Sequence, residues 1–502
     1  MKLSNNFEKI RKPLVLVLLM ACVGGTIFVG RIQTPETAIE PLAESDTKFL
    51  MPSVIGDSLS STWFCPGVPA RDVKVRSEIV VANPSQTPIT GTITLLSSEE
   101  PATSSTLIVA PFSRGVFDAT GGRKSQYISA IIELDSGQAS VEQRIIHLAG
   151  DSVALCANET SDRWFFADGF TGAESEFDIL LTNPFPDSTV VDLSFVTTDG
   201  KRQPALLKGI VLRGQSVTSI SMGEQGARNE SVLAVSVRAT SGRFVAGKLQ
   251  HFLGRGRLGF TSALGASTTS RQWWFASGEK GAGVDEEIVV FNPTEIDQSV
   301  SISFLTGSAE ALLREPLILT VPAGRVTSLS TSDLPTVASG RYGILVSSVT
   351  DDFINSTDDA TAEFVVVEQV VSRTRDNKTG TSVILGAPAG SASRVWTSPS
   401  GLTVGEVGSI VVANATSLDT TVRVSTIGPA GAAPIVGLEK VVLKAASVIS
   451  IEIPPSIAQL QILIESETEV IVQREFSRGH QLYGLSGVLA LPHRSQQEKV
   501  IE

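Results

Sequence analysis

One pattern returns four times along this chain and limits the folds open to it more than any other feature. Trp63, Trp164, Trp273 and Trp396 open four segments at intervals of 101, 109 and 123 residues. An Asn follows each Trp after 20, 19, 19 and 18 positions: Asn83, Asn183, Asn292 and Asn414. The surrounding text reads EIVVANP, DILLTNP, EIVVFNP and SIVVANA, a buried strand that stops at a turn. Asn can close an Asx-turn there, and Pro cannot continue a central strand. The next strand alternates at period two, with Gly91-Ile93-Leu95, Val191-Leu193-Phe195, Val300-Ile302-Phe304 and Val422-Val424-Thr426 facing one side. Each copy ends on an apolar strand carrying a Gln: Gln143, Gln250, Gln369 and Gln473.

Repeats of about 100 residues rich in Val, Ile, Thr and Ser, with frequent turn signals, predict antiparallel β-sandwiches. The expected architecture is all-β: four Ig-like modules in a row, covering 49–158, 159–268, 269–390 and 391–490, with a tail at 491–502. The chain has 502 residues, 42% hydrophobic and 18% charged, so it has ample apolar surface to bury. Its net charge of −12 and the lack of a basic block exclude nucleic acid as the main partner.

Ahead of the repeats, Lys2, Lys9, Arg11 and Lys12 precede an uncharged stretch from Pro13 to Gly30, and acidic residues follow Arg31. That pattern predicts a cytoplasmic tail (1–12), a single membrane-spanning anchor (13–30) and a stalk (31–48), with the bulk of the chain outside the cytoplasm. A cleaved signal peptide, or a lipid anchor on Cys22 in Leu19-Met20-Ala21-Cys22, fits the same segment and gives the same sidedness. Export leaves two cysteines in the body, Cys65 and Cys156, expected to pair as a disulfide across the first repeat.

The opening Thr62-Trp63-Phe64-Cys65-Pro66-Gly67, the strand-Asn-Pro turns and the single apolar amino-terminal span resemble an uncharacterised actinobacterial family of anchored or secreted envelope proteins. The resemblance covers roughly residues 50–490. It implies location and architecture and supplies no catalytic residues.

Motifs that imitate active sites fail on context. Gly254-Arg255-Gly256-Arg257-Leu258-Gly259 has dinucleotide-fingerprint spacing but precedes a strand rather than a helix. Ser277-Gly278-Glu279-Lys280 and Lys378-Thr379-Gly380 match acyl-transfer motifs without the helical setting these require. The acidic run at 350–363 has no EF-hand spacing, and His147, His251, His480 and His493 show no zinc pairing. The four repeated Trp are expected as packing residues, and Trp274, an aromatic beside Trp273, as the best-placed ligand contact. No cofactor, metal or catalytic residue is expected. The function expected is non-enzymatic: a membrane-anchored envelope protein scaffolding or binding a cell-wall polymer or envelope protein. The alternative is a wall-polymer enzyme or accessory subunit with a site between modules.

Overall fold

A computed structural model describes residues 51–72, 74–120, 125–307, 315–349, 364–399, 408–457, 459–479 and 482–495. The anchor, the stalk, Cys22, the acidic run at 350–363 and His480 lie outside the described residues. The fold is all-β: strands dominate, and the helical elements among the described residues are three single 3-10 turns. No helix among the described residues is long and apolar enough to cross a membrane. The described residues belong to one compact unit.

The same strand order appears in each repeat. In one sheet the Trp strand (Ser61–Pro69, Arg163–Phe166, Gln272–Lys280, Ser393–Ser398) pairs antiparallel with a later strand, which pairs in turn with the strand after the Asn turn. The register agrees across copies: Trp63 opposes Ile132, Trp164 Val237, Trp273 Val346 and Trp396 Ile464. In the other sheet the Asn strand (Val75–Asn83, Glu176–Asn183, Val284–Asn292, Gly408–Asn414) lies between a return strand and the Gln strand. Gln143 opposes Ile79, Gln250 Phe177, Gln369 Ile288 and Gln473 Val411. A further strand closes this sheet, anticipated from the sequence only in the second copy, where a strand is expected after Gly259: Ser152–Leu155, Arg257–Leu264, Lys378–Leu385 and Leu485–Leu489. In the fourth copy one 17-residue strand, Gln461–Ser477, serves both sheets.

The repeated Asn acts as a clamp. Asn292 donates to the carbonyls of Ile296, Val321 and Pro322 at 2.7, 3.0 and 3.2 Å, and accepts from the Thr294 N–H at 3.0 Å. It thereby fixes its own Asx-turn and ties that turn to the neighbouring hairpin. Asn83, Asn183 and Asn414 make the corresponding bonds. Apolar residues of both sheets meet in shared clusters; Trp63, Ile79, Ile132 and Val141 belong to one.

The copies do not stand as an open row. The four closing strands touch in sequence, and the last, Leu485–Leu489, touches the first, Ser152–Leu155, so the cycle shuts. The first and last described strands make the seal: Val54–Ile55 pairs in parallel with Leu491–Arg494, and Val54 and Leu491 enter the core of the first repeat. The stretch expected as a tail from 491 is therefore a strand up to Arg494, drawn in because Leu491 completes a core more than 400 residues earlier in sequence.

Leu491→Ala should destabilise by about 2–5 kcal/mol, the usual range for a buried Leu. Hydrogen exchange should quicken in Ser61–Pro69 as well as in Ser393–Ser398. Change confined to the fourth repeat would mean that the copies fold independently.

Candidate functional site

Neither enzyme-like motif is assembled. Gly254 to Gly259 forms the hairpin between a Gln strand and its closing strand, with Arg255 and Gly256 at φ of 54° and 81° as a tight turn needs. Ser277 and Lys280 lie on one strand and Lys378 starts another, while Ser277 donates to Glu475 and Lys280 to the Leu334 carbonyl. His147 and His251 pack edge-on, 5.5 Å between ring centres, beside Phe260. Burial and the neighbouring His251 lower the pKa of His147, so it is held neutral. Among the described residues no cluster of three metal-ligating side chains is present.

Cys65 and Cys156 are disulfide-bonded. The four repeated Trp are at most 1% exposed, and three of them donate the indole N–H to a backbone carbonyl just before or within the Gln strand: Trp164 to Phe244, Trp273 to Val365 and Trp396 to Val470. Trp274 does not meet the exposure expected of a contact residue: it too is only 1% exposed. It points from the opposite face of its sheet, and its strand packs on Gly408–Asn414 and Gln461–Ser477 of the fourth repeat. Phe64 and Phe165 hold the same place, one after the Trp, and both pack at copy junctions. That column of aromatics was visible in the sequence; read by column, Trp274 is no addition.

What the sequence did not reveal is a set of buried charges at the junctions. Between the second and third copies, Lys248, Glu368 and Asp168 are at most 1% exposed. Lys248 Nζ lies 2.8 Å from both Glu368 carboxylate oxygens, in hydrogen-bond alignment with Oε2 only, and donates to the Asp168 carbonyl at 2.8 Å. The Asp168 N–H donates to Glu368 Oε2 at 2.5 Å. Arg257 bridges Asp168 and Glu287 at 3.3 and 2.8 Å and covers the ring of Phe170. Burial raises the Glu368 pKa; Lys248 pulls it down and Asp168 pushes it up, and the net direction is upward.

Between the third and fourth copies, Glu475 accepts from Ser277 and pairs with Arg341 and Arg373. Burial alone would raise its pKa, but the two guanidinium groups hold it below the ordinary value. Between the fourth and first, Arg474 pairs with Glu142 at 3.0 Å. Between the first and second, the Tyr127 hydroxyl donates to Asp178 at 2.9 Å. At the meeting of copies, Arg478 is fully buried and donates to the Phe260 carbonyl and to Ser486; burial brings its guanidinium down to about 10, still charged at neutral pH.

A model for a family of unknown function, DUF5719, matches residues 136–403, which is 268 of the 502 residues. The chain belongs to that family. The DUF5719 match runs from the end of the first repeat to the opening of the fourth. No curated relative matches the chain. The solved structure of Thermotoga maritima 1070 is 17% identical, covering 24% of this chain and 95% of its own, at a TM-score of 0.18. A tetra-tandem repeat from the extending region of a large adhesion protein is 11% identical over 82% of this chain and 93% of its own, at a TM-score of 0.09.

Glu286 carries the clearest pH consequence in this DUF5719 chain. It is buried, accepts from Tyr342 at 2.5 Å and from Gln369 at 2.5 Å, and burial outweighs those bonds to push its pKa to about 7. A carboxyl whose folded pKa is raised adds stability below its unfolded pKa and loses it as pH rises through the folded one. Stability should therefore fall between about pH 4.5 and 7 by about 3 kcal/mol from this group. Glu286→Gln should flatten that fall in denaturant titrations at pH 5 and pH 8; an unchanged slope would refute the assignment. Trp274→Ala should lower stability by about 3–5 kcal/mol in a thermal melt.

Proposed function

We propose that this protein is a non-enzymatic, membrane-anchored component of the bacterial cell envelope. Its four repeats act as Ig-like β-sandwich modules that hold a binding or scaffolding surface outside the cytoplasm. The observation that carries the reading is where the buried ionisable groups are used. Lys248, Glu368, Arg257, Arg341, Arg373, Glu475, Arg474 and Glu142 each face a partner across or beside a junction between copies. Groups spent in that way are locked in geometry and screened from substrate, whereas acid–base work needs a group within reach of a reacting proton. The Cys65–Cys156 bond favours an oxidising compartment. The basic residues before Pro13 and the acidic residues after Arg31 favour an orientation with the body outside. Its partner on this reading is a wall polymer or an envelope protein, with the membrane engaged through residues 13–30.

Two measurements test the proposal. A reporter active only in the cytoplasm, fused after Glu502, should be silent; activity would reverse the orientation. Crosslinking in intact cells should capture a wall polymer or envelope protein, while the purified body should leave wall polymers intact. Hydrolysis or transfer on those polymers would overturn the non-enzymatic reading.

A further inference from the structure

We propose that Lys248 and Glu368 become joined by a covalent amide across the junction of the second and third repeats, in a self-catalysed condensation for which Asp168 carries the proton. Three features of the junction converge on this chemistry.

The first is approach. Lys248 sits on the strand Val245–Gly254 between Ile179 and Ala263, and Glu368 on the strand Val366–Arg375 between Val289 and Leu385. Both are central positions in paired sheets, so neither side chain can swing away as a surface Lys does. With Nζ 2.8 Å from each carboxylate oxygen, the amine is held against the carboxyl group as a whole, and a rotation of that group about Cγ–Cδ turns its carbon toward the nitrogen. Holding reactants in such contact is worth effective concentrations on the order of 10⁵–10⁸ M for well-oriented groups.

The second is protonation. Lys248 and Glu368 are at most 1% exposed, and Phe165, Phe170, Phe252 and Val367 belong to the apolar cluster around them. The step begins with the proton passing along the hydrogen bond from Lys248 Nζ to Glu368 Oε2, which frees the lone pair on nitrogen. Burial and the neighbouring Asp168 both push the Glu368 carboxyl toward its protonated form.

The third is a proton carrier. Asp168 is equally buried, its backbone holds both reactants through the bonds to Lys248 and Glu368, and its Oδ2 has no hydrogen-bond partner among the described residues. The Lys248 lone pair attacks Cδ of Glu368, forming the C–N bond. Asp168 takes the second amine proton and returns it to the departing hydroxyl, so the C–O bond breaks and one water leaves. Ammonium plus carboxylate thus become amide plus water, with no change of oxidation state and no co-reactant. The dry junction then shields the amide from hydrolysis.

The other junctions supply a contrast. Their cations are the buried Arg373 and Arg474 and the half-buried Arg341, whose guanidinium groups stay protonated and are not nucleophiles. The chemistry is confined to the one junction built around a primary amine.

Peptide mapping of the reduced, denatured full chain decides the matter. The expected product is a branched tryptic peptide joining the segments that contain Lys248 and Glu368, lighter than their sum by about 18 Da, one water. Trypsin should not cut after Lys248. Two linear peptides of full mass, with cleavage at Lys248, would show a plain ion pair and overturn the proposal. In Lys248→Arg, which keeps the charge, the branched peptide should vanish; an unchanged deficit of mass would place the lost water elsewhere and also overturn it. In Asp168→Asn the link should form about 100-fold more slowly after synthesis, the usual scale of general acid–base assistance. An unaltered rate would remove Asp168 from the step.

Discussion

Everything in this structure depends on the fact that its sheets have two faces to bury. The Trp of each repeat fills the space between its own two sheets, while the residue after it points the other way. Phe64, Phe165 and Trp274 are large and apolar on that outer face, so each of the first three copies exposes an unsatisfied surface until the next one covers it. An interface of that head-to-tail kind either grows without end or closes into a ring. Here the contacts close, with Leu485–Leu489 against Ser152–Leu155 and Leu491–Arg494 against Val54–Ile55. Closure removes the exposed terminal faces that a linear array must cap separately.

Four similar copies raise a question of order, since similar faces could dock in the wrong sequence. The polar partners differ at every junction: Tyr127 with Asp178 by a hydrogen bond, and by ion pairs Lys248 with Glu368, Arg341 and Arg373 with Glu475, Arg474 with Glu142. Such pairs add little net stability, because desolvation offsets the attraction. A charge buried without its partner is another matter, costing about 3–5 kcal/mol. A misplaced copy would strand at least one carboxylate or guanidinium in an apolar junction. The charges therefore discriminate among arrangements that the apolar residues alone would treat as nearly equal.

The sequence disclosed whatever recurs at fixed spacing, because local periodicity records which face of a strand is buried. Trp63 and its equivalents, the Asn clamps and the Gln strands were legible for that reason, and so was the pairing of Cys65 with Cys156. The closing strands lack a recurring polar marker, so apart from the one after Gly259 they gave no repeated signal, and Ser152–Leu155 has only four residues. Trp274 was misjudged by comparing residue identity instead of column, since Phe64 and Phe165 already fill that position. The junction charges left no local trace at all. Glu142 meets Arg474 across 332 residues, and nothing in either neighbourhood announces the other.

The placement of the disulfide follows from the same geometry. The first repeat is synthesised first, yet its core contains Leu491 and cannot be completed until nearly the whole chain exists. Contacts so distant in sequence pay their loop-closure entropy late, which leaves an early domain incomplete while the rest is made. Cys65 and Cys156 join the start of that repeat to its exit, a separation of 91 residues. In the chain-entropy account a loop of that length is worth about 4–5 kcal/mol against the unfolded ensemble. The copy that waits longest for its last strand is thus the copy whose two ends are covalently tied, and the tie lies within it rather than across a junction. The order of copies is fixed at the junctions themselves, by the buried charges and by the proposed Lys248–Glu368 amide. A bond within the first copy supplies what those charges cannot, a constraint that holds before the cycle closes.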